Sequence, residues 1–69
     1  MGKPVHPLIG ELREIRKSQR LSQDAVGAAI GKVATAMTAY ESGQHSPKID
    51  TLCQWADTLG YDVVLKPKD

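Results

Sequence analysis

Phenylalanine is missing from this chain of 69 residues, and one tryptophan and two tyrosines are its only aromatics. A core drawn from such a set must be mostly aliphatic and small. The lone Cys53 excludes an internal disulfide and fits a reducing cytosol. Charge of one sign is also scarce: nine Lys and Arg against eight Asp and Glu leave a net +1. Overall charge therefore points to no partner, and its distribution must decide. No apolar run approaches the roughly 20 residues that span a bilayer. The first residues, MGKPVHP, carry no leader-like apolar segment. These absences predict a cytoplasmic protein with no membrane partner.

The chemistry of catalysis is thin as well. His6 and His45 are the only histidines, and neither stands near Cys53 in a ligand or nucleophile spacing. On its apolar helix face, Cys53 reads as a small core residue. Asp50 and Asp57 share a helix face that solvation explains. There is no glycine-rich phosphate loop. The expectation is a non-enzyme with no metal and no cofactor. Repeats and low-complexity segments are missing too.

What is present is enough for one domain. Hydrophobic residues make up 41% of the chain, which fits a globular fold. A core of this size rarely supplies more than about 3–5 kcal/mol, so a partner chain would help.

The central stretch is Ser22 to Gly43, SQDAVGAAIGKVATAMTAYESG. Val26, Ala29 and Ile30 share one helical face, and Val33, Ala36, Met37 and Tyr40 share another. Gly31 falls where the chain must reverse, and glycine reaches a left-handed conformation without steric cost. Two helices joined so tightly form a helix-turn-helix unit, whose second helix can enter a DNA major groove. The face of that helix opposite its apolar side holds Ala34, Thr35, Thr38 and Ala39, with no charge and no long side chain. Small and hydroxyl side chains suit a groove floor. They equally suit a short surface helix in any small bundle.

Around this unit the pattern predicts an all-α bundle of four helices, at about 7–20, 22–30, 33–42 and 47–59, then a short β-strand at 61–66. Residues 1–6 read as an arm, 7–60 as the helical domain and 61–69 as a strand with its tail. Pro7 suits a first helical turn, and Leu8, Leu12 and Ile15 form the buried stripe of the first helix. Arg13, Arg16, Lys17 and Arg20 form a basic stripe beside it. Ser22 caps the second helix, with Asp24 in its first turn. Gly27 costs about 1 kcal/mol against alanine, but permits a close crossing of the two helices. Ser46 and Pro47 open the fourth helix. Ile49, Leu52, Cys53, Trp55, Ala56 and Leu59 line its apolar face.

The residues LSQDAVGAAIG, YESG and SPKIDTLCQWADTLG, with Leu12 and Arg16 ahead of them, resemble the Cro/repressor type of helix-turn-helix, or XRE family, with its lambda-repressor-like fold. The resemblance covers about Leu8 to Gly60. It implies that Gln23 contacts a phosphate and that Ala34, Thr35, Thr38 and Ala39 face base pairs. It also implies that Gln44, His45, Ser46 and Lys48 approach the backbone, and that Arg16 and Glu41 form a partly buried ion pair. Lys32 and Val33, which open the second helix of the motif, complete the DNA-facing set. The family usually has an apolar residue at the position of Lys32 and Ser or Thr at that of Val33. Its members often read bases with Arg, Gln or Asn, where this chain has only Ala and Thr.

The resemblance implies a transcriptional regulator, a repressor by expectation, that binds a two-fold operator in double-stranded DNA as a homodimer. One strand cannot satisfy its own backbone groups, so Tyr61, Val63, Val64 and Leu65, with Trp55 beneath, are the expected dimerisation residues. A helix-turn-helix followed by a short strand is similar also to HipB-type antitoxins. The alternative is therefore an antitoxin that binds a cognate toxin protein and represses its own operon. A third reading is an interaction module without DNA binding.

Overall fold

Four helices follow one another in the computed structural model, which describes residues 5–68: α1 (Pro7–Ser18), α2 (Gln23–Ala29), α3 (Ala34–Ser42) and α4 (Ile49–Thr58). The all-α architecture is the expected one, with helix ends trimmed by one or two residues. Residues 1–4 of the expected arm and residue 69 of the tail lie outside the described residues.

Local chemistry explains where each helix starts. The Leu8 amide donates to His6 Nδ1 (3.1 Å), so His6 caps α1 with Pro7 in the first turn, where its missing N–H costs nothing. Ser22 Oγ accepts from the Ala25 amide (3.0 Å), as the sequence suggested. The fourth helix departs from expectation. Lys48, not Ser46, is its N-cap, and an ammonium side chain offers no acceptor.

All four helices end alike. A residue of positive φ follows the last turn: Arg20 (59°), Gly31 (72°), Gly43 (84°) and Gly60 (87°). The next amide then donates back to a carbonyl five residues earlier, as Leu21 to Arg16 (3.1 Å) and Lys32 to Gly27 (2.8 Å) do. Three of these positions are glycine; Arg20 is not. The left-handed conformation costs a non-glycine residue about 1–2 kcal/mol, and glycine adds back roughly 0.5–1 kcal/mol of unfolded-chain entropy. Arg20→Gly is therefore expected to stabilise the protein by about 0.5–1 kcal/mol, read as a higher urea midpoint at unchanged m-value. An equal or lower midpoint would count against strain at Arg20.

The core gathers Ile9, Leu12, Val26, Ile30, Met37, Leu52, Trp55, Ala56 and Leu59. Trp55, Met37 and Val26 are its largest fully buried side chains, and the Tyr40 ring lies tilted 6.4 Å from that of Trp55. With no phenylalanine available, one indole fills the centre and aliphatic groups surround it. Its Nε1 is buried without a protein acceptor. Gln19 Nε2 donates to the Leu59 carbonyl (2.8 Å), tying the end of α1 to that of α4.

Several expected faces turn by about one residue. In α1 the buried stripe is Ile9, Leu12 and Arg16, while Leu8 and Ile15 are only partly covered. Ala29 is exposed, and Gly27 takes its place in the interface. In α4, Ile49 and Cys53 are exposed, so Cys53 is not a core residue. These two residues stand one turn apart at the edge of the apolar face.

The C-terminal segment differs most. Residues 61–66 form no strand, and α4 is the last regular element among the described residues. A strand needs a hydrogen-bonded neighbour, and no other segment among the described residues supplies one. Val63 packs against the core, while Tyr61, Val64 and Leu65 are exposed. Trp55 is 0% exposed, so it belongs to the core and presents no surface for dimerisation.

Candidate nucleic-acid interface

The motif is built by a close approach of α2 to the turn that follows it. A Cβ on Gly27 would lie 2.5 Å from the Lys32 carbonyl oxygen and 3.2 Å from Met37 Cγ. Only a hydrogen fits there, so the glycine read as a helix-crossing residue is required by contact. The Lys32 amide closes the turn on the Gly27 carbonyl. Val33 then takes an extended backbone (φ −78°, ψ 159°) and acts as N-cap of α3 without a side-chain bond. It is 70% exposed and leaves the apolar face assigned to it, although the amides of Ala36 and Met37 return to its carbonyl.

Beyond that cap, Thr35 and Thr38 are exposed and Ala34 is partly covered. These three sit at i, i+1 and i+4 and share one side of the helix. Ala39 does not join them. It is 8% exposed, and its carbonyl accepts from the amides of Gln44 and His45, where the chain folds back after Gly43. The returning loop covers it. Gln44, His45, Ser46 and Lys48 are exposed along that loop, and Lys32 is half-buried at the turn.

Behind α3 lies a polar chain. Arg16 grips Glu41 with two bonds, Nε to Oε2 (2.8 Å) and Nη2 to Oε1 (2.9 Å), and its Nη1 donates to the Leu21 carbonyl (2.7 Å). The two residues are 8% and 6% exposed. The fork of the guanidinium matches the two carboxylate oxygens, which is the geometry that makes such a pair specific. The expected ion pair is thus present, and it is buried where the resemblance implied a partly buried one. The Arg13 Nε lies 3.7 Å from Glu41 Oε1 on the solvent side.

Gln23 is drawn into the same chain. Its Nε2 donates to Glu41 Oε1 (3.1 Å), and its Oε1 accepts from Thr38 Oγ1 (2.7 Å). The side chain is half-buried, held between the ion pair and the surface of α3. Sequence reasoning missed this bridge, and also the cap made by His6. Positions 23 and 38 fall on different helices, and no single helical wheel relates them.

No metal-binding group of three His, Cys, Asp or Glu occurs among the described residues. No helix among them is long and apolar enough to cross a membrane. No curated protein matches the chain. The helix-turn-helix family model matches residues 12–65, a span that takes in most of α1, the whole motif, α4 and the start of the tail. With the geometry of α2, turn and α3 in place, this chain belongs to the Cro/repressor (XRE) family of helix-turn-helix DNA-binding regulators.

Proposed function

We propose that the protein is a repressor that binds a two-fold operator as a homodimer, with α3 of each copy in the major groove. The observation that carries this reading is the exposed side of α3. Ala34, Thr35 and Thr38 offer a surface without charge or bulk, flanked by Lys32 on one side and the loop Gln44–Lys48 on the other. A groove floor suits the first set, and phosphates suit the second. Gln23 keeps a second amide hydrogen for a phosphate, and Val33, exposed at the helix start, meets the groove edge. Ala39 supports the loop from behind and touches no base.

Selection of bound sequences from a random DNA pool tests this reading, and a two-fold consensus is the expected result. Thr35→Glu places a carboxylate on an exposed helical position, so the fold is retained. Affinity for the selected operator should fall by at least about tenfold. A folded variant that binds like the parent removes α3 from the groove. Four neutralised phosphates per dimer would weaken binding about a hundredfold between roughly 50 and 200 mM salt. Affinity flat over that range removes the phosphate contacts.

The dimer is proposed to form through the tail. Residues 61–66 find no ladder partner among the described residues, and Tyr61, Val64 and Leu65 stand in solvent. The same segment of a second copy, paired antiparallel about a two-fold axis, would satisfy both and turn the tail into the strand its sequence favours. Val63 already lies on the core and orients the segment. Such a pair sets two recognition helices about 34 Å apart, one turn of DNA. A chain ended after Gly60 is expected to sediment as a monomer and to lose its preference for a full over a half operator. A truncated chain that remains dimeric would move the interface to the exposed Ile49 and Cys53 edge of α4. The exposed tail also favours a second reading, in which a toxin protein covers it. A full-length chain that is monomeric alone would turn the assignment that way.

A further inference from the structure

The hydrogen bonds that leave the buried ion pair have a fixed direction, and they end on the surface of α3. Arg16 carries donors only, so the Glu41 carboxylate accepts at both oxygens, at 2.8 and 2.9 Å. A carboxamide fits its site in two orientations, but a carboxylate oxygen in that grip cannot donate. The Gln23 nitrogen therefore faces Glu41 Oε1 (3.1 Å), and its carbonyl oxygen faces the other way. Thr38 Oγ1 lies 2.7 Å from that carbonyl oxygen. Two oxygens so close share a proton, and only the hydroxyl has one to give. Thr38 is left with two lone pairs and no proton for a group outside the protein.

We propose that Thr38 meets DNA as a hydrogen-bond acceptor alone, and selects an amino group over a keto oxygen at the base it faces. The proposal rests on the placement of α3 in the major groove given above. Adenine N6 and cytosine N4 are the major-groove donors, whereas guanine O6 and thymine O4 only accept. An untethered threonine serves either kind, because its hydroxyl rotates. Thr38 is not untethered. Facing a keto oxygen, it must break its bond to Gln23 or set lone pair against lone pair. On the strand it meets, adenine or cytosine is preferred to guanine or thymine. A carboxylate in the core thereby sets a preference on the surface, through Gln23 as a positioning residue.

The test uses the full chain and the operator it selects. Affinities are measured for all four bases at each half-site position, for the parent, Thr38→Ser, Thr38→Val and Gln23→Leu. At one position the parent is expected to favour amino over keto bases by about three- to tenfold, the worth of one hydrogen bond. Thr38→Ser keeps that ratio, and Thr38→Val abolishes it. Gln23→Leu lowers affinity at every sequence, yet it also relaxes the amino-to-keto ratio at this one position, because the freed hydroxyl again donates. A mere loss of phosphate contact would leave that ratio unchanged. Replacing the preferred adenine by purine, which lacks the 6-amino group, should reproduce the Thr38→Val loss. Ratios unmoved by Thr38→Val, or a keto preference that Thr38→Val removes, overturn the proposal and leave DNA binding standing. A parent that selects no DNA overturns both.

Discussion

Glu41→Leu is expected to destabilise the protein by about 3–5 kcal/mol, as much as a core of this size supplies in total. The substitution leaves the Arg16 guanidinium inside the protein with one remaining bond, to the Leu21 carbonyl. An ion without its partner in that place has neither water nor a counter-charge. Arg13 cannot substitute, since it carries the same sign and sits half in solvent. Arg16→Met has the mirrored effect, leaving the Glu41 carboxylate with Gln23 and the distant Arg13. The double variant Arg16→Met/Glu41→Leu removes both charges and fills the same space with apolar groups. It is expected to recover most of the loss, because the desolvation cost of a buried pair roughly offsets its attraction. Urea unfolding of the four proteins closes the cycle. Single variants that lose less than about 1 kcal/mol would match an exposed pair instead. A double variant as unstable as either single one would show that the pair itself, and not the orphaned charge, holds the helices together.

Gly27→Ala is the second large effect, and its sign runs against helix propensity. Alanine in the middle of a helix is worth about 1 kcal/mol over glycine. Here the added methyl meets the Lys32 carbonyl oxygen at 2.5 Å, and that atom is backbone. Neither side can yield without moving the turn, because the Lys32 amide is bonded to the carbonyl of Gly27 itself. Overpacking of this kind costs about 1–3 kcal/mol, and the predicted net result is a loss. The methyl also presses on Met37, which is fully buried, so α3 shifts with the turn. DNA affinity should then fall further than the loss of folded protein accounts for. Gly27→Ala with a raised urea midpoint would mean that α2 and the turn pack more loosely than these distances state.

The two predictions differ in how legible their cause is in the sequence. Gly27 stands in a helical pattern where glycine is unfavourable, and that mismatch by itself pointed to a close crossing. The atoms it approaches were not legible, because they depend on how the turn after Gly31 folds back. Arg16 and Glu41 were paired by the family resemblance. Their depth was not legible. The basic stripe of Arg13, Arg16, Lys17 and Arg20 looked uniform, yet Arg16 alone is buried, because α3 crosses α1 at that turn and brings Glu41 to it.

The amino-acid sequence by itself determined the local features: four helices, the reversal at Gly31, the Ser22 cap, and the small uncharged side of α3. Each follows from spacing along a few turns or from the conformational range of one residue, so no distant contact is needed to read it. Tertiary structure decided which apolar residues are covered, and so put Ile9 and Ala39 inside and Val33, Ile49 and Cys53 outside. Periodicity names the residues that share a face but says nothing about how far a neighbouring element extends over it. Tertiary structure also left 61–66 without a ladder, since a strand is a property of a pair and no second member stands among the described residues. The bridge from Arg16 through Glu41 and Gln23 to Thr38 joins three helices at hydrogen-bond length. Bonds that short depend on the angles at which the helices dock, and only the packed core sets those angles.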